Sequence, residues 1–299
     1  MDGATVFAQL VLSGILVGSV YGLTALGFVV TYRNASVFNI AYGQFAVLGA
    51  FLAWTFIGSP QEPRLPLPLA IPLTLAAVVL FGLAVERLLF RRMIGRPLFA
   101  TFILSLGLLG LLHGTTMMIW GPEVRMLATT VPSGPIHIGS LVVSQEYVWS
   151  FVIAVLATLA FVVFFKRTRL GLAMRAAYEN QTAARCLGVS ASMNSRITWV
   201  LCAVIATIGG VLMATVNGVS ISLSDLVMVV LAVVLIGGLD SFLGAVLGGV
   251  LLAVGANLVT YYLAPLLPGI GGVFSMILIM LVLLIRPSGL LGARPIERV

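Results

Sequence analysis

Long apolar segments are the feature that most constrains the fold of this chain. A membrane-spanning helix needs about 20 consecutive apolar residues, because the hydrocarbon core of a bilayer is about 30 Å thick. Most of the apolar segments meet that requirement, and they lie at residues 6–30, 38–57, 65–85, 99–120, 147–165, 197–216, 226–239, 241–264 and 267–285. We therefore predict an all-α, polytopic transmembrane helix bundle with about eight or nine spans.

The charge content of the chain also indicates a membrane protein. Charged residues make up 8% of the sequence and hydrophobic residues 61%. A soluble domain carries about 25% charged residues, so a water-soluble fold of this composition would lack the side chains needed to cover its surface. The net charge of +7 is explained by basic loops that face an anionic inner leaflet. We expect no nucleic-acid partner.

The distribution of basic residues predicts the orientation of the chain. If every apolar segment crosses the membrane, all but two of the 16 lysines and arginines fall on one side, and Arg64 and Arg125 fall on the other. Basic loops stay in the cytoplasm, so we expect the N-terminus outside and the C-terminus in the cytoplasm. The short segment 226–239 is either a tilted span or half of a broken helix. We prefer a full crossing, because it keeps the basic C-terminus inside.

The apolar segments lack the groups that would power transport or catalysis. Acidic residues lie only at segment edges or in loops, and the single lysine, Lys166, does not follow a glycine-rich P-loop. His113 is the one ionisable group inside a predicted span, and we expect it to hydrogen-bond a neighbouring helix. Cysteine and histidine residues do not occur at metal-ligand spacing. We therefore expect a channel or an externally driven permease that is not an enzyme and needs no metal or cofactor.

Four separated motifs carry a resemblance to a known family. The loop after the fifth segment reads Lys166-Arg167-Thr168-Arg169-Leu170-Gly171-Leu172-Ala173-Met174-Arg175-Ala176-Ala177 and continues with Ala183-Ala184-Arg185-Cys186-Leu187-Gly188-Val189. The other motifs are residues 22–27 followed by 39–50, residues 236–245 and residues 286–292. Together they resemble the permeases of branched-chain amino acid ABC transporters of the LivH type. Tyr42 and Gln44 depart from the family pattern, which often has His and Glu at these places.

The resemblance implies a permease subunit of an ATP-binding-cassette importer in the bacterial inner membrane. Its solutes would be branched-chain amino acids or related small molecules. The implied partners are a second, LivM-like permease, two ABC ATPase subunits, an extracytoplasmic solute-binding protein and membrane lipids. Residues 1–299 would form a single permease domain, with a cytoplasmic coupling segment at 166–196 and an outer loop at 121–146. A urea or amide importer of the same family and a passive channel for a small neutral solute are the alternatives.

Within the coupling segment, residues 172–187 fit one amphipathic helix. The residues expected to pack are Leu172, Ala176, Ala183, Ala184 and Leu187, and those expected to face outward are Arg175, Glu179 and Arg185. Arg175 and Glu179 are spaced for an ion pair, and Gly188 is suited to end the helix in the left-handed conformation. The resemblance implies that Arg175, Glu179, Ala183, Ala184, Arg185 and Gly188 couple the chain to the ATPase. A helix resting on lipid head groups is the alternative.

A polar group in the second apolar segment is the main candidate for a solute path. Asn39, Tyr42 and Gln44 surround Gly43. Polar groups in lipid need partners, so these side chains either line the path, with Gly43 loosening the helix, or hydrogen-bond neighbouring helices. Weaker candidates for the path are Tyr21, Thr24 and Asn257. The glycines of Gly14-x-x-x-Gly18-x-x-x-Gly22 are expected to serve helix packing.

The outer loop at 121–146 is the longest on its side of the membrane. Residues 136–143 within it predict a short β-hairpin. The resemblance implies that the solute-binding protein docks on this side, and a simple cap over the helices is the alternative.

Overall fold

A computed structural model describes residues 3–35, 37–128, 134–139, 141–286 and 288–292, and α-helices dominate that part of the chain. Short 3₁₀ helices occur at Phe90–Met93 and Ile221–Asp225. The α-helices and strands are α1 (Gly3–Ala35), α2 (Tyr42–Ile57), α3 (Leu67–Leu88), α4 (Leu98–Trp120), β1 (Pro135–Ile138), β2 (Leu141–Ser144), α5 (Gln145–Arg167), α6 (Arg169–Glu179), α7 (Gln181–Cys186), α8 (Ala191–Asn217), α9 (Leu226–Gly237), α10 (Phe242–Leu263) and α11 (Ile270–Ile285).

The helices confirm an all-α, polytopic bundle. Among the described residues, six helices are long and apolar enough to cross a membrane, namely α1, α3, α4, α5, α8 and α10. The shorter apolar helices α2, α9 and α11 lie in the remaining predicted segments. At 1.5 Å per residue, α9 alone is about 18 Å long, although the 3₁₀ helix Ile221–Asp225 leads directly into it. Eight or nine spans are compatible with this set of helices.

The chain divides into two compact units, each built from separate stretches of sequence. The first unit comprises Met1–Val29, Thr130–Val155 and Met228–Val299. The second unit comprises Val30–Thr129 and Leu156–Val227.

Small residues bring α1 and α10 together in the first unit. A Cβ atom added to Gly14 or Gly18 would lie 2.6 Å from the Cα of Val254 or Val250, respectively. A Cβ atom at Gly22 would lie 2.9 Å from the Cα of Val246. These separations are far shorter than a normal carbon contact, so the two backbones approach closely only because the side chains are absent. The geometry agrees with the expected packing role of this glycine motif.

Residues 288–292, the last described residues of the first unit, pack against the turn between α9 and α10. The backbone N–H of Leu290 donates to the carbonyl of Ile236 at 2.8 Å, and that of Leu291 donates to Gly237 at 3.0 Å. Gly238 and Gly289 adopt positive φ values of 113° and 80°. Residues 288–292 of this motif therefore have a structural role, because Leu290 and Leu291 satisfy carbonyls at the end of α9 that the helix leaves without partners.

The predicted hairpin is present between α4 and α5. Strands β1 and β2 pair antiparallel, with His137 opposite Val142. Gln9 of α1 accepts a hydrogen bond from the N–H of Val142 at 3.0 Å and donates to its carbonyl. The hairpin is thus fixed to the start of α1. Residues 129–133 and 140 of the predicted outer loop lie outside the described residues.

Helices α2, α3 and α8 form the core of the second unit. Trp199 of α8 is fully buried, and its ring stacks on Phe90 at 3.8 Å between centroids and meets Phe45 at 6.0 Å. Gly210 of α8 lies against the backbone of Ala46 in α2. This close contact of α2 with α8 holds the polar start of α2 in the interior.

Candidate functional site

The predicted polar group lies at the start of α2 and is buried. Asn39, Tyr42 and Gln44 are 0%, 1% and 3% exposed. A turn closes between the backbone N–H of Tyr42 and the carbonyl of Asn39 at 3.2 Å, and α2 begins there. Gly43 lies against the carbonyl of Ser224, where a Cβ atom would collide. Gly43 therefore permits a close approach of the 3₁₀ helix Ile221–Asp225, whereas we expected it to loosen α2.

Each amide in this group has a side-chain oxygen without a partner among the described residues. Gln44 Nε2 lies 3.3 Å from His113 Nδ1 of α4, which is the helix-to-helix hydrogen bond expected of His113. Asn39 Nδ2 lies 4.0 Å from the Cys202 sulfur of α8. The Oδ1 atom of Asn39 and the Oε1 atom of Gln44 accept no hydrogen bond from the described protein atoms. Because buried acceptors normally find a donor, these two oxygens are suited to meet a donor on a solute.

The weaker candidates for the path belong to the first unit. Thr24 is fully buried, and its hydroxyl donates to the carbonyl of Val20 in its own helix. Asn257 donates to the Leu10 carbonyl and to the Ser13 hydroxyl, both at 3.3 Å. Asn257 therefore ties α10 to α1, and these contacts favour its structural role. Tyr21 is partly buried.

The coupling segment consists of two helices, so the prediction of one helix over 172–187 is wrong. The hydroxyl of Thr168 caps α6 by accepting the Gly171 N–H at 3.0 Å. Asn180 adopts an extended backbone with φ −153°, and its side chain accepts the Ala183 N–H at 2.9 Å to start α7. An asparagine that caps a new helix competes with continuation of the preceding one, and this is the physical reason for the break.

The burial of the coupling segment differs from the amphipathic prediction. Leu172 and Leu187 are 59% and 83% exposed, while Ala184 is 2% exposed. Ala183 is exposed as well. Within this chain only Ala184 of the predicted packing face is buried and Ala176 is partly buried, whereas the predicted packing of Leu172, Leu187 and Ala183 stays a prediction about a partner. Large apolar side chains instead remain uncovered on the surface of the segment.

Two further features of the coupling segment were predicted from spacing. Gly188 has φ +85°, so its predicted left-handed conformation after the helix is confirmed. Among the described residues, Arg175 and Glu179 do not form the predicted ion pair, and the guanidinium of Arg175 donates to the Lys166 carbonyl at 3.4 Å. Glu179 and Arg185 are exposed, as expected, whereas Arg175 is only partly exposed and its Nε atom is buried, so its predicted outward position holds only in part.

Basic residues distinguish the two ends of the second unit. At one end, the guanidinium of Arg33 lies 4.1 Å from the ring centre of Tyr178 in α6. The end of α1, the 3₁₀ helix Phe90–Met93 and the starts of α4 and α8 reach the same place, where they line a cavity of about 540 Å³. At the other end, Arg64 and Arg125 lie 5.0 and 4.4 Å from the ring centre of Trp54. Sequence patterns did not reveal the cavity, because its lining comes from residues far apart in the chain.

The chain matches the family model described as branched-chain amino acid transport system / permease component over residues 10–285. It belongs to this family.

Individual relatives cover almost the whole chain. The chain is 28% identical over 309 residues to the high-affinity branched-chain amino acid transport system permease protein BraD of Pseudomonas aeruginosa, with 98% of each protein covered. It is 26% identical to LivH of Escherichia coli K12, again with 98% of each covered. A probable LivH of Methanocaldococcus jannaschii is 26% identical, covering 98% of this chain and 91% of that protein. No solved structure gives a significant match to the chain.

Proposed function

We propose that this chain is the transmembrane permease subunit of an ATP-driven importer of branched-chain amino acids. The match of residues 10–285 to the permease family carries this proposal. Relatives from two bacteria and a methanogen are named for branched-chain amino acid transport, and these names support the solute class. They do not favour a urea or amide importer, or a passive channel.

The partners of the proposed importer follow from its class. They are a second, LivM-like permease, two ATPase subunits and an extracytoplasmic solute-binding protein. The chain would lie in the bacterial inner membrane with its N-terminus outside and its C-terminus in the cytoplasm. Arg33 and Arg96 lie beside the coupling segment at one end of the second unit. This arrangement supports the proposed orientation, because basic residues concentrate on the cytoplasmic side of a membrane.

The coupling segment is the proposed docking surface for an ATPase subunit. The exposed apolar side chains of Leu172 and Leu187 support this role, since burying them against a partner would remove apolar surface from water. Exposed Ala183, Glu179 and Arg185 lie on the same pair of helices. Ala184 and Gly188 would act by shaping α7 and its end.

Uptake by the assembled importer is expected to depend on ATP. Since no predicted span carries a carboxylate in its interior and the chain has no P-loop lysine, the energy must come from the ATPase partners. Proteoliposomes containing both permeases, both ATPases and external binding protein should accumulate labelled leucine when ATP is enclosed. A proton uncoupler should leave the rate unchanged at constant ATP.

Two controls separate the proposed importer from its alternatives. Liposomes with this chain alone and a pH gradient should take up no leucine, and uptake there would contradict external energy coupling. Excess unlabelled isoleucine or valine should compete with leucine, whereas urea should not. Competition by urea, without competition by isoleucine or valine, would indicate that the chain belongs to a urea or amide importer.

Gln44→Leu is expected to reduce leucine uptake at least about tenfold while the complex still assembles. Losing the hydrogen bond to His113 should cost the fold only about 0.6–1.7 kcal/mol, the range for such bonds in membranes, whereas losing the buried acceptor would leave a solute donor unpaired. Thermal unfolding, ATPase co-purification and uptake are measured on the same preparation. His113→Leu is the matched control, because it removes the same bond and keeps the Gln44 oxygen. Equal uptake defects in both variants would show that Gln44 only ties α2 to α4.

A further inference from the structure

Three loops join into one surface at the end of the second unit opposite the coupling segment. This surface, the loop platform, consists of residues 58–64, 121–128 and 218–219. The backbone N–H of Ala128 donates to the Gly58 carbonyl at 3.0 Å. Arg125 and Val219 exchange two main-chain hydrogen bonds of 2.9 and 2.7 Å. Because these bonds already order the loops, a molecule that binds the platform has less conformational entropy to remove.

Both arginines of the loop platform lie against the indole ring of Trp54, near the end of α2. The guanidinium carbons of Arg64 and Arg125 are 5.0 and 4.4 Å from the ring centre. Arg64 also donates to the Thr55 carbonyl at 3.0 Å. Arg125 donates to the Trp120 carbonyl at 2.6 Å. The cation–π contacts and these hydrogen bonds hold both positive charges in defined positions.

The two guanidinium groups have hydrogen-bond donors left for another molecule. A guanidinium carries five N–H donors, and each of these two groups donates to one carbonyl among the described residues. No described carboxylate forms an ion pair with Arg64 or Arg125, although Glu62 and Glu123 are exposed on the same loops. The arginines are therefore ordered, charged and suited to carboxylates of a second molecule, which they bind through charge-assisted hydrogen bonds.

The composition of the loop platform favours a protein partner. Val124 and Met126, which flank Arg125, are each 59% exposed, and arginine, tryptophan and methionine are enriched in protein interfaces. The exposed carboxylates of Glu62 and Glu123 would repel anionic lipid head groups. In the predicted topology the platform arginines are also the two basic residues of 16 that lie outside, where short loops are normally poor in basic residues.

We propose that the loop platform is the docking surface for an acidic face of the solute-binding protein, with Arg64 and Arg125 as the residues that bind its carboxylates. This assignment rests on the proposed function and on the proposed orientation. It excludes the β-hairpin as the main contact, because the hairpin belongs to the first unit and is fixed to α1 through Gln9. Ordered arginines that meet carboxylates would set the orientation of the docked protein and raise its association rate.

Binding of the purified, leucine-loaded solute-binding protein to the assembled importer in nanodiscs tests the docking surface. Arg64→Gln and Arg125→Gln should each raise the Kd about tenfold, as expected for the loss of a charge-assisted hydrogen bond. The Kd should also depend less on salt in each variant. Glu62→Gln and His137→Gln are the matched controls, because they change exposed side chains of the same loop and of the hairpin. Neither control should raise the Kd.

Two further measurements separate lost docking from a damaged fold. Thermal unfolding and ATP hydrolysis without binding protein should be unchanged in Arg64→Gln, whereas stimulation of hydrolysis by binding protein should fall. Arg64→Lys keeps the charge and supplies a primary amine. A carbodiimide joins this amine to a carboxylate as an amide and takes up the released water to become a urea. Since the single native lysine, Lys166, lies in the coupling segment, mass spectrometry should find a cross-link from position 64 to an acidic residue of the binding protein.

Unchanged Kd values in both arginine variants would overturn the proposal, and so would an equal rise of the Kd in His137→Gln. If phosphatidylglycerol then raised the unfolding temperature of the wild type but not of the arginine variants, the arginines would bind lipid head groups instead. ATP-driven leucine uptake is measured separately. Wild-type uptake with unchanged Kd values in the variants would refute the docking surface alone. Weaker binding in the variants, without leucine uptake by the wild type, would refute the solute assignment alone.

Discussion

Gly210→Val is expected to destabilise the second unit strongly. A Cβ atom at Gly210 would collide with the Ala46 carbonyl oxygen and would lie 2.9 Å from the carbonyl carbon. The atoms at this contact belong to the backbone of α2, which cannot move aside as a side chain can by changing its rotamer. Helix α8 would therefore have to shift away from α2. Overpacking of a tight interface costs about 1–3 kcal/mol, and a branched side chain against backbone should lie at the upper end. We expect a lower thermal unfolding temperature and a smaller monodisperse peak in size-exclusion chromatography of the detergent-solubilised chain.

Gly110→Val is the matched control for this prediction. Gly110 lies in α4, in the same unit, and a Cβ atom there meets nothing within 4 Å. Both substitutions place valine in an apolar helix, so intrinsic helix propensity and insertion cost are the same. Normal elution and thermal stability are expected for Gly110→Val in the isolated chain. Equal stability of Gly210→Val would show that α2 and α8 do not pack through this glycine.

Much of the fold was predictable because bilayer thickness imposes a length on every span. The nine apolar segments of the sequence correspond to α1, α2, α3, α4, α5, α8, α9, α10 and α11. Turns depend on only a few neighbouring residues, so the hairpin near His137 and the positive φ of Gly188 could also be predicted from the sequence. The break at Asn180 was missed although its signal was present. A polar capping residue interrupts a helix even where the apolar spacing continues.

Contacts between distant residues were not predictable from one sequence. Hydrophobic periodicity did not show that Gly43 would meet Ser224, or that Asn194 would donate to the Asn34 carbonyl across 160 positions. The pairing of Arg175 with Glu179 was inferred from helical spacing, but exposed ion pairs contribute about 0–1 kcal/mol, which is too little to fix a long side chain. The cavity at the basic end was unpredictable for the same reason, because four separate stretches of the chain line it.

Leu187→Asp is expected to remove ATPase co-purification while the permease remains folded. Leu187 is 83% exposed and lies immediately after α7. Its side chain therefore contributes little to the fold of this chain, and aspartate there is solvated in the free permease. Docking would force the carboxylate into an apolar contact, which costs several kcal/mol when the charge has no partner. Recovery of the ATPase should fall at least about tenfold, with a matching loss of stimulated ATP hydrolysis.

Leu88→Asp controls for the introduction of the same charge. Leu88 is 61% exposed at the end of α3, near the same basic end of the second unit but outside the coupling segment. ATPase recovery should be unchanged in this variant. Gly188→Val tests the shape of the segment, because a β-branched residue adopts positive φ poorly and would misplace Leu187. It should reduce recovery without adding a charge.

Leu187 is a better position than Ala184 for testing ATPase docking, because Leu187 is exposed and Ala184 is buried. Ala184→Arg would introduce a long charged side chain at a position that is 2% exposed. Its backbone N–H also bonds the Asn180 carbonyl at 2.9 Å, and its carbonyl accepts the Val189 N–H at 2.9 Å. Loss of docking in that variant would follow from unfolding of α7 alone. Normal ATPase recovery in Leu187→Asp, together with normal hydrolysis, would place α7 against lipid head groups and remove the coupling segment from the ATPase interface.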